Sequence, residues 1–239
     1  MNPPASGFRP DFFHFPMTSA AKHAKVRASL QWGKERAMDE AHRAMLAYAT
    51  EIFAQSHGIV DPRHPFRDKI GHTRRVIAWV ERIAPEEGGD LDLLTTCAIF
   101  HDLGYTVSPA EHPAVSAVLC DRYLAGHGYD GDYRARARRI IALHGDKSLL
   151  VPETQRDALI LIEADNLDEK GALDVLWDAM AEGARGQSSY EGTYRRLLPH
   201  LEKRRRNIMV TPTARRFWDE RLAVLEGFVQ SLALELGLE

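Results

Sequence analysis

The stretch AIFHDLGY, residues 98–105, places a histidine and an aspartate side by side at the end of an apolar segment. Burying a carboxylate is costly unless it is paired or bound to a metal ion, so the apolar run before Asp102 makes it a candidate ligand. Neighbouring residues of a helix point about 100° apart. His101 and Asp102 therefore reach one ion together only by bending toward it, or Asp102 bridges two ions. Gly104 is predicted to end this helix and to turn the chain away, leaving room for solvent and substrate.

Two other apolar segments also carry a candidate ligand. His72 lies within KIGHTRRVIAWV, residues 69–80, and Asp165 lies within LILIEADNLD, residues 159–168. Two carboxylates in one core repel each other unless a cation lies between them, and histidine with carboxylate is a usual ligand set for divalent first-row metals. The sequence therefore predicts one metal site, formed by His72, His101, Asp102 and Asp165.

The rest of the sequence is patterned for helices. Apolar residues recur at spacings of three and four, and convincing alternation with a period of two is absent from the sequence. We therefore predict an all-α fold, a single-domain helical bundle, preceded by an irregular arm over residues 1–18. The predicted helices cover about 20–55, 67–84, 91–103, 113–126, a segment ending at 144, one long helix from about 152 through 180, and 211–236.

The three segments with their flanks resemble the H…HD…D signature of the HD-domain superfamily of metal-dependent phosphohydrolases. GHTRRV (71–76), FHDLGY (100–105) and EADNLDEKGA (163–172) look like its first, second and last motifs, in the form found in small stand-alone bacterial members. Two departures are Glu163, where the last motif usually has Asp, and Asn166, where Arg or Lys is frequent. The resemblance implies an HD-type helical domain over 19–239, with a motif core of about 37–177 and C-terminal helices over 188–239.

The same resemblance implies a set of metal ligands. One ion would be held by His72, His101, Asp102 and Asp165, and a second ion by Asp102, His112 and His144. In the alternative interpretation there is one ion, and His112 and His144 contact the phosphate of a substrate. The cofactor is thus one or two divalent metal ions per chain, and the sequence does not distinguish Fe, Mn, Mg, Ni and Co.

The reaction that this resemblance implies is hydrolysis of a phosphoester in a small phosphorylated metabolite, with a nucleotide as the favoured substrate. A metal ion makes hydroxide available at neutral pH, and cations offset the charge of the phosphate oxygens. The expected catalytic residues are His101, Asp102, Arg75 and Lys147. Other candidate cations are Arg67, Lys69 and Lys170, and Asp168 is a candidate for orienting a ligand histidine.

Two other functions stay open at this point. Some members of the superfamily, such as myo-inositol oxygenase, use two irons and dioxygen, and the six candidate ligands permit that chemistry. A nucleotide sensor without turnover is the other alternative. Oxygen-dependent turnover would indicate the first, and tight nucleotide binding without product the second.

Composition and charge narrow the range of partners. The formal net charge is -3, which predicts no general attraction to nucleic acid or to anionic membranes. The basic run over 200–217 is interpreted as a solvated helix face with helix-terminal charges. No apolar stretch approaches the ~20 residues that span a membrane, no signal peptide is visible, and the two cysteines are isolated, so we expect a cytoplasmic protein. A homodimer is a further possibility that the aromatic arm and the last helix suggest.

Overall fold

A computed structural model describes residues 38–56, 68–186 and 189–238. The regular structure within these residues is entirely helical, which confirms the all-α prediction. The predicted arm over 1–18, the first part of the predicted helix 20–55 and Arg67 lie outside the described residues. The helices are α1 (Glu40–Gln55), α2 (Lys69–Glu87), α3 (Leu91–Phe100), α4 (His112–Gly126), α5 (Gly131–Leu143), α6 (Arg156–Leu167), α7 (Ala172–Ala184), α8 (Tyr190–Arg205) and α9 (Pro212–Glu235), with short 3-10 helices over Leu103–Thr106 and Lys147–Leu149.

Helix α3 is the centre of the bundle. Every residue from Leu93 to Phe100 is buried, and α1, α2, α5 and α6 all pack on this helix. Because the neighbours cover α3 on all sides, it can be apolar all round. Burial therefore explains the apolar sequence of α3, and the polar residues that directly follow this helix lie in the interior of the bundle.

Helix α2 runs beyond its predicted end. The prediction placed the stop at Pro85, but the helix continues to Glu87 and ends at Gly88, whose φ of 71° is left-handed. The prediction was wrong because a proline in the last turn removes only one backbone hydrogen bond, whereas the left-handed glycine reverses the chain. At the other end, Asp68 accepts a hydrogen bond of 2.9 Å from the Ile70 amide and caps the helix next to His72.

The long helix predicted from about 152 through 180 is in fact two helices, α6 and α7. They are joined by a turn over 168–171, in which Glu169 has a φ of 56° and Gly171 a φ of 68°. A side chain at Gly171 would lie 2.9 Å from Cδ of Arg221 on α9, so the close packing of α9 also requires glycine there. The apolar periodicity continues through the break, which is why it did not show in the sequence.

Helices α7, α8 and α9 enclose a separate small core of Val175, Leu197, Leu201, Leu225 and Val229. Helix α9 starts as predicted, with Thr211 as its cap. The buried Glu163 of α6 ties this start to the bundle, accepting hydrogen bonds from the amides of Val210 (2.5 Å) and Thr211 (2.8 Å) and from the Thr211 hydroxyl (2.6 Å). Glu163, a departure from the family motif, thus has a structural partner.

The basic run over 200–217 forms ion pairs, of which those of Arg205 and Arg216 are exposed, as expected for a helix surface, while that of Arg204 is largely buried. Arg204 pairs with Asp174, Arg205 with Glu226, and Arg216 with Glu86. None of the described helices is long and apolar enough to cross a membrane.

Candidate metal centre

The chain leaves helical geometry between His101 and Asp102. His101 still has helical angles (φ -53°, ψ -38°), but Asp102 has φ -104° and ψ 0°, a backbone region where active-site residues are often found. Helix α3 therefore ends at Phe100, three residues earlier than predicted. Adjacent side chains on a regular helix would point apart. Because the backbone changes direction here, His101 Nε2 and Asp102 Oδ2 lie only 3.7 Å from each other.

Gly104 has a role that differs from the predicted one. It lies inside the 3-10 helix, where a Cβ would collide with the His112 carbonyl oxygen and lie 2.7 Å from the Ser116 amide nitrogen. Its own amide donates a hydrogen bond of 2.7 Å to the Ser116 hydroxyl. The glycine thus allows α4 to approach and brings His112 to the site, where the sequence had predicted open space.

The structure brings together all six residues that the sequence named as candidate ligands. His72 comes from α2, His101 and Asp102 follow α3, His112 begins α4, His144 follows α5, and Asp165 lies near the end of α6. All are buried except His112 and Asp165, whose side chains are 16% and 24% exposed. The convergence that the sequence predicted is therefore present.

The four histidines share one hydrogen-bonding arrangement. Each uses Nδ1 to donate to an acceptor: His72 to Asp168 (2.6 Å), His101 to the Ala98 carbonyl (2.7 Å), His112 to the Pro109 carbonyl (3.0 Å) and His144 to the Ile141 carbonyl (2.7 Å). Because carboxylates and carbonyls only accept, the proton resides on Nδ1. In the neutral rings every Nε2 therefore carries a lone pair, and these nitrogens face the same region.

The first candidate ligand group consists of His72, His101, Asp102 and Asp165. His72 Nε2 lies 3.1 Å from His101 Nε2, 3.4 Å from Asp102 Oδ2 and 3.3 Å from Asp165 Oδ1. Donors that bind one ion at about 2.0–2.2 Å are about 3.0–3.5 Å apart in tetrahedral or octahedral geometry. The distances from His72 to the other three donors thus fit a metal ion, whereas His101 Nε2 lies 3.7 Å from Asp102 Oδ2 and 4.0 Å from Asp165 Oδ1.

The second candidate ligand group shares Asp102 with the first. Oδ1 of Asp102 lies 3.5 Å from His112 Nε2 and 3.6 Å from His144 Nε2, whereas Oδ2 faces His72 and His101. Within the described residues, both His72–His101–Asp102 and Asp102–His112–His144 are close enough to hold an ion. One carboxylate therefore offers a separate oxygen to each group.

The pKa values of the candidate ligands depend on burial and on the charged groups around each of them. Burial lowers the pKa of His72, but its bonds to Asp165 and Asp168 outweigh this and raise it to about 9. Burial lowers the pKa of His101 to about 4. Burial alone would raise the pKa of Asp102, yet the neighbouring His101, His144 and Lys69 hold it well below its usual range. Asp165 and Asp168 thus favour positive charge at His72.

Lys69 is the cation closest to the shared carboxylate. Its ammonium donates a hydrogen bond of 2.6 Å to Asp102 Oδ2 and lies 3.6 Å from the centroid of the Tyr105 ring. Tyr105 in turn stacks on His112 with ring centroids 3.9 Å apart. The sequence had named Lys69 only as a lesser candidate, although its position three residues before His72 placed both on one helix face.

The two cations that the sequence favoured have other contacts. Arg75 donates to both oxygens of Asp168, at 2.7 and 3.0 Å, and lies 3.4 Å from Glu169. Lys147 donates a hydrogen bond of 2.7 Å to the amide oxygen of Asn166. The predicted contact of Asp168 with a histidine of the site is present, since it binds His72.

Other histidines lie away from this centre. His42 is buried, and its Nε2 lies 3.1 Å from both the Thr96 hydroxyl and the Asp92 carbonyl oxygen. Its position on α1 faces the buried helix α3. His200 lies with Asp174 and Asp178 between α7 and α8, where each carboxylate already pairs with an arginine.

Comparison with known proteins agrees with this geometry. Residues 70–170 match the HD domain family. The chain contains an HD domain. The matched segment runs from α2 to the turn after α6, and it therefore includes all six candidate ligands of the HD domain.

Solved structures share the fold of this HD domain. A predicted HD superfamily hydrolase from an uncultured Thermotogales bacterium is 24% identical with a TM-score of 0.57, over 81% of this chain and 92% of that one. An HD-superfamily hydrolase from Bacillus thuringiensis has a TM-score of 0.62 at 18% identity, over 84% and 98% of the two chains. Bacillus subtilis YpgQ, solved in complex with ADP, is 21% identical with a TM-score of 0.55, over 83% and 100%. At this identity the likeness is one of fold.

A curated protein is similar in sequence over part of its length. It is the deoxyguanosinetriphosphate triphosphohydrolase-like protein 1 of Deinococcus radiodurans, 27% identical over 125 residues. The similar region covers 52% of this chain but 32% of the other protein. The chain thus matches about a third of that protein.

Proposed function

We propose that this HD-domain protein is a metal-dependent phosphohydrolase that acts on a small phosphorylated metabolite, with a nucleotide as the favoured substrate class. The observation that carries the proposal is the shared carboxylate of Asp102, with two Nε2 nitrogens facing each of its oxygens. Two ligand groups that share one carboxylate are the arrangement of two-metal phosphohydrolase sites, in which the ions lie ~3.5–4 Å apart.

The ligands of the proposed site are the six convergent residues. His72, His101, Asp102 and Asp165 would hold one divalent ion, and Asp102, His112 and His144 a second. When bound, these ions would supply a nucleophilic hydroxide at neutral pH and positive charge for the phosphate oxygens. With their Nδ1 protons engaged, the four rings have Nε2 free for this role.

Lysines around the centre favour an anionic substrate. Lys69 lies at Asp102, and Lys147 donates to a neutral oxygen, the side-chain amide of Asn166, the residue after Asp165 (2.7 Å). The contact with a neutral amide does not neutralise the charge of Lys147. In this proposal Lys69 and Lys147 bind and orient the phosphate, while Arg75, which the sequence favoured, is engaged by Asp168.

Two relatives support a nucleotide as substrate. The Deinococcus relative is named as triphosphohydrolase-like, and the YpgQ structure contains ADP. Neither protein fixes the substrate of this chain, because one is similar over a third of its length and the other shares the fold.

The test is a screen of the purified protein, loaded with Mn²⁺, Mg²⁺, Co²⁺ or Fe²⁺, against nucleotides, sugar phosphates and a general phosphatase substrate. We expect release of phosphate or pyrophosphate under anaerobic conditions, and its loss in Asp102→Ala. Oxygen-dependent turnover with iron would indicate an oxygenase, and nucleotide binding without product a sensor. Full hydrolysis by a metal-free Asp102→Ala protein would contradict the proposal.

A further inference from the structure

Two aspartates of this chain have almost the same surroundings. Asp168 accepts hydrogen bonds from His72 Nδ1 (2.6 Å) and Arg75 Nε (2.7 Å), and Asp178 accepts them from His200 Nδ1 (2.5 Å) and Arg196 Nε (2.7 Å). Both carboxylates are buried, with side chains 1% and 0% exposed. The two aspartates differ in what the Nε2 atom of the bound histidine faces, because only the Nε2 of His72 faces the candidate metal centre.

We propose that Asp168 and Arg75 are positioning residues for His72, which hold its ring so that Nε2 faces the metal centre. This inference rests on the proposed function. Asp168 accepts a hydrogen bond from Nδ1–H of His72, which fixes the tautomer and restricts rotation of the ring. Histidine ligands in metal sites generally have such a partner, and its loss typically weakens metal binding by about 10–100-fold.

Arg75 fixes Asp168 in turn. Its Nε and Nη2 bind both oxygens of one carboxylate, at 2.7 and 3.0 Å, a two-point contact that defines the plane of the acid. Arg75 lies three residues after His72 on α2, so the ring and the guanidinium approach Asp168 from one helix face. The arginine therefore acts through Asp168 and His72, a role that the sequence did not suggest.

The turn between α6 and α7 places the carboxylate. Asp168 follows the last residue of α6 with extended angles (φ -65°, ψ 150°), and Glu169 follows in left-handed geometry. A continuous helix would carry the Asp168 side chain one turn beyond Asp165 on the same face. The break instead turns it under His72, while Asp165 stays on the opposite side of the ring at Nε2.

The Asp178 cluster provides a matched control. Removing Asp178 deletes a buried carboxylate with the same two kinds of partner, but His200 belongs to neither candidate ligand group. Loss of either aspartate should destabilise the fold by a comparable amount, since each leaves a buried charge unpaired. Metal binding should distinguish them.

The experiment is calorimetric titration of Mn²⁺ into metal-free wild type, Asp168→Ala, Arg75→Gln and Asp178→Ala. We expect Mn²⁺ affinity to fall about 10–100-fold in Asp168→Ala, by a smaller factor in Arg75→Gln, and by less than twofold in Asp178→Ala. Adding Arg75→Gln to Asp168→Ala should cost nothing further, because both act through one contact. If Asp168→Ala does not fold, Arg75→Gln carries the test, since the Arg75 side chain is 38% exposed.

A second readout does not depend on metal. Nitrogen NMR of metal-free protein, recorded at a pH high enough for a neutral His72 ring, should report a proton fixed on His72 Nδ1 in wild type and in Asp178→Ala, and a mixture of tautomers in Asp168→Ala. The positioning role is overturned if a folded Asp168→Ala keeps both the wild-type tautomer and the wild-type affinity, or if Asp178→Ala weakens metal binding equally. A wild-type protein that binds no Mn²⁺ would overturn the proposed function, and the NMR result would then decide the positioning of His72 alone.

Discussion

The ammonium of Lys69 lies 2.6 Å from Oδ2 of Asp102, the oxygen that also faces His72 and His101. A lysine and a metal ion compete for this oxygen, because both are cations. In the proposed site Asp102 would use this oxygen to hold an ion, and the charge of Lys69 would then be available to a phosphate.

Replacing Lys69 by methionine should separate substrate binding from metal binding. We expect kcat/KM for the phosphorylated substrate to fall about 10- to 100-fold, the equivalent of a hydrogen bond to a charged group of about 1.5–3 kcal/mol. Mn²⁺ affinity should be equal or higher, since a competing cation is gone. Steady-state kinetics and titration of Mn²⁺ measure the two effects. Lys203→Met, at an exposed position on α8, is the control; a loss of metal affinity in Lys69→Met would count against this role.

Gly104→Ala should damage the second ligand group through the backbone. The added methyl would collide with the carbonyl of His112, a backbone atom that cannot rotate away. We expect a loss of about 1–3 kcal/mol of unfolding free energy, as for overpacked cores, together with weaker binding of one of two ions. Denaturant unfolding and Mn²⁺ stoichiometry measure these changes.

Gly227→Ala is the control for Gly104→Ala, because it adds the same methyl group at a position that has room for it. It lies within α9, and a Cβ there meets no atom within 4 Å. Alanine in place of glycine in a helix interior should add about 0.5–1 kcal/mol. If Gly104→Ala were as stable and as active as Gly227→Ala, close approach of α4 would not be what Gly104 provides.

Glu163→Ala should lower stability without affecting metal. Its carboxylate accepts three hydrogen bonds at the start of α9 and is fully buried. Losing them should reduce the unfolding free energy by about 3 kcal/mol, measured by urea denaturation. Glu202→Ala, whose side chain is 75% exposed, should change it by less than about 0.5 kcal/mol. A drop in metal content at equal folding would instead place Glu163 in the site.

Bound metal should stabilise the fold by mass action. At a concentration of Mn²⁺ a hundredfold above its Kd, the gain is about 2.7 kcal/mol for one site. For a chain of this size that corresponds to about 5–10 °C in Tm. Differential scanning fluorimetry should show this rise in wild type and its absence in Asp102→Ala. A rise of the same size in both proteins would mean that the ion binds elsewhere.

Sequence could predict which candidate ligands converge because their chemistry is visible along the chain. His72, His101, Asp102 and Asp165 each interrupt an apolar segment, and a charge in such a place requires a partner. The helical pattern gave the fold class and the start of α9 at Thr211. His112 and His144 depended on the family resemblance, since their flanks are not distinctive.

What the sequence could not predict depends on local backbone geometry and on distant partners. The break after Leu167 has no apolar signal, and it decides that Asp168 contacts His72 and Arg75. The role of Gly104 depends on the approach of α4, which no local pattern reports. The burial of His42 is likewise decided by α3, about 50 residues away in sequence.

The central claim is that Asp102 is shared by two ligand groups, and the most direct measurement is the stoichiometry of Mn²⁺ binding by equilibrium dialysis. We predict two ions per chain for the wild type, one for His144→Ala, and no tightly bound ion for Asp102→Ala. An Asp102→Ala protein that folds and binds as many Mn²⁺ ions as the wild type, at the same concentrations, would contradict the account.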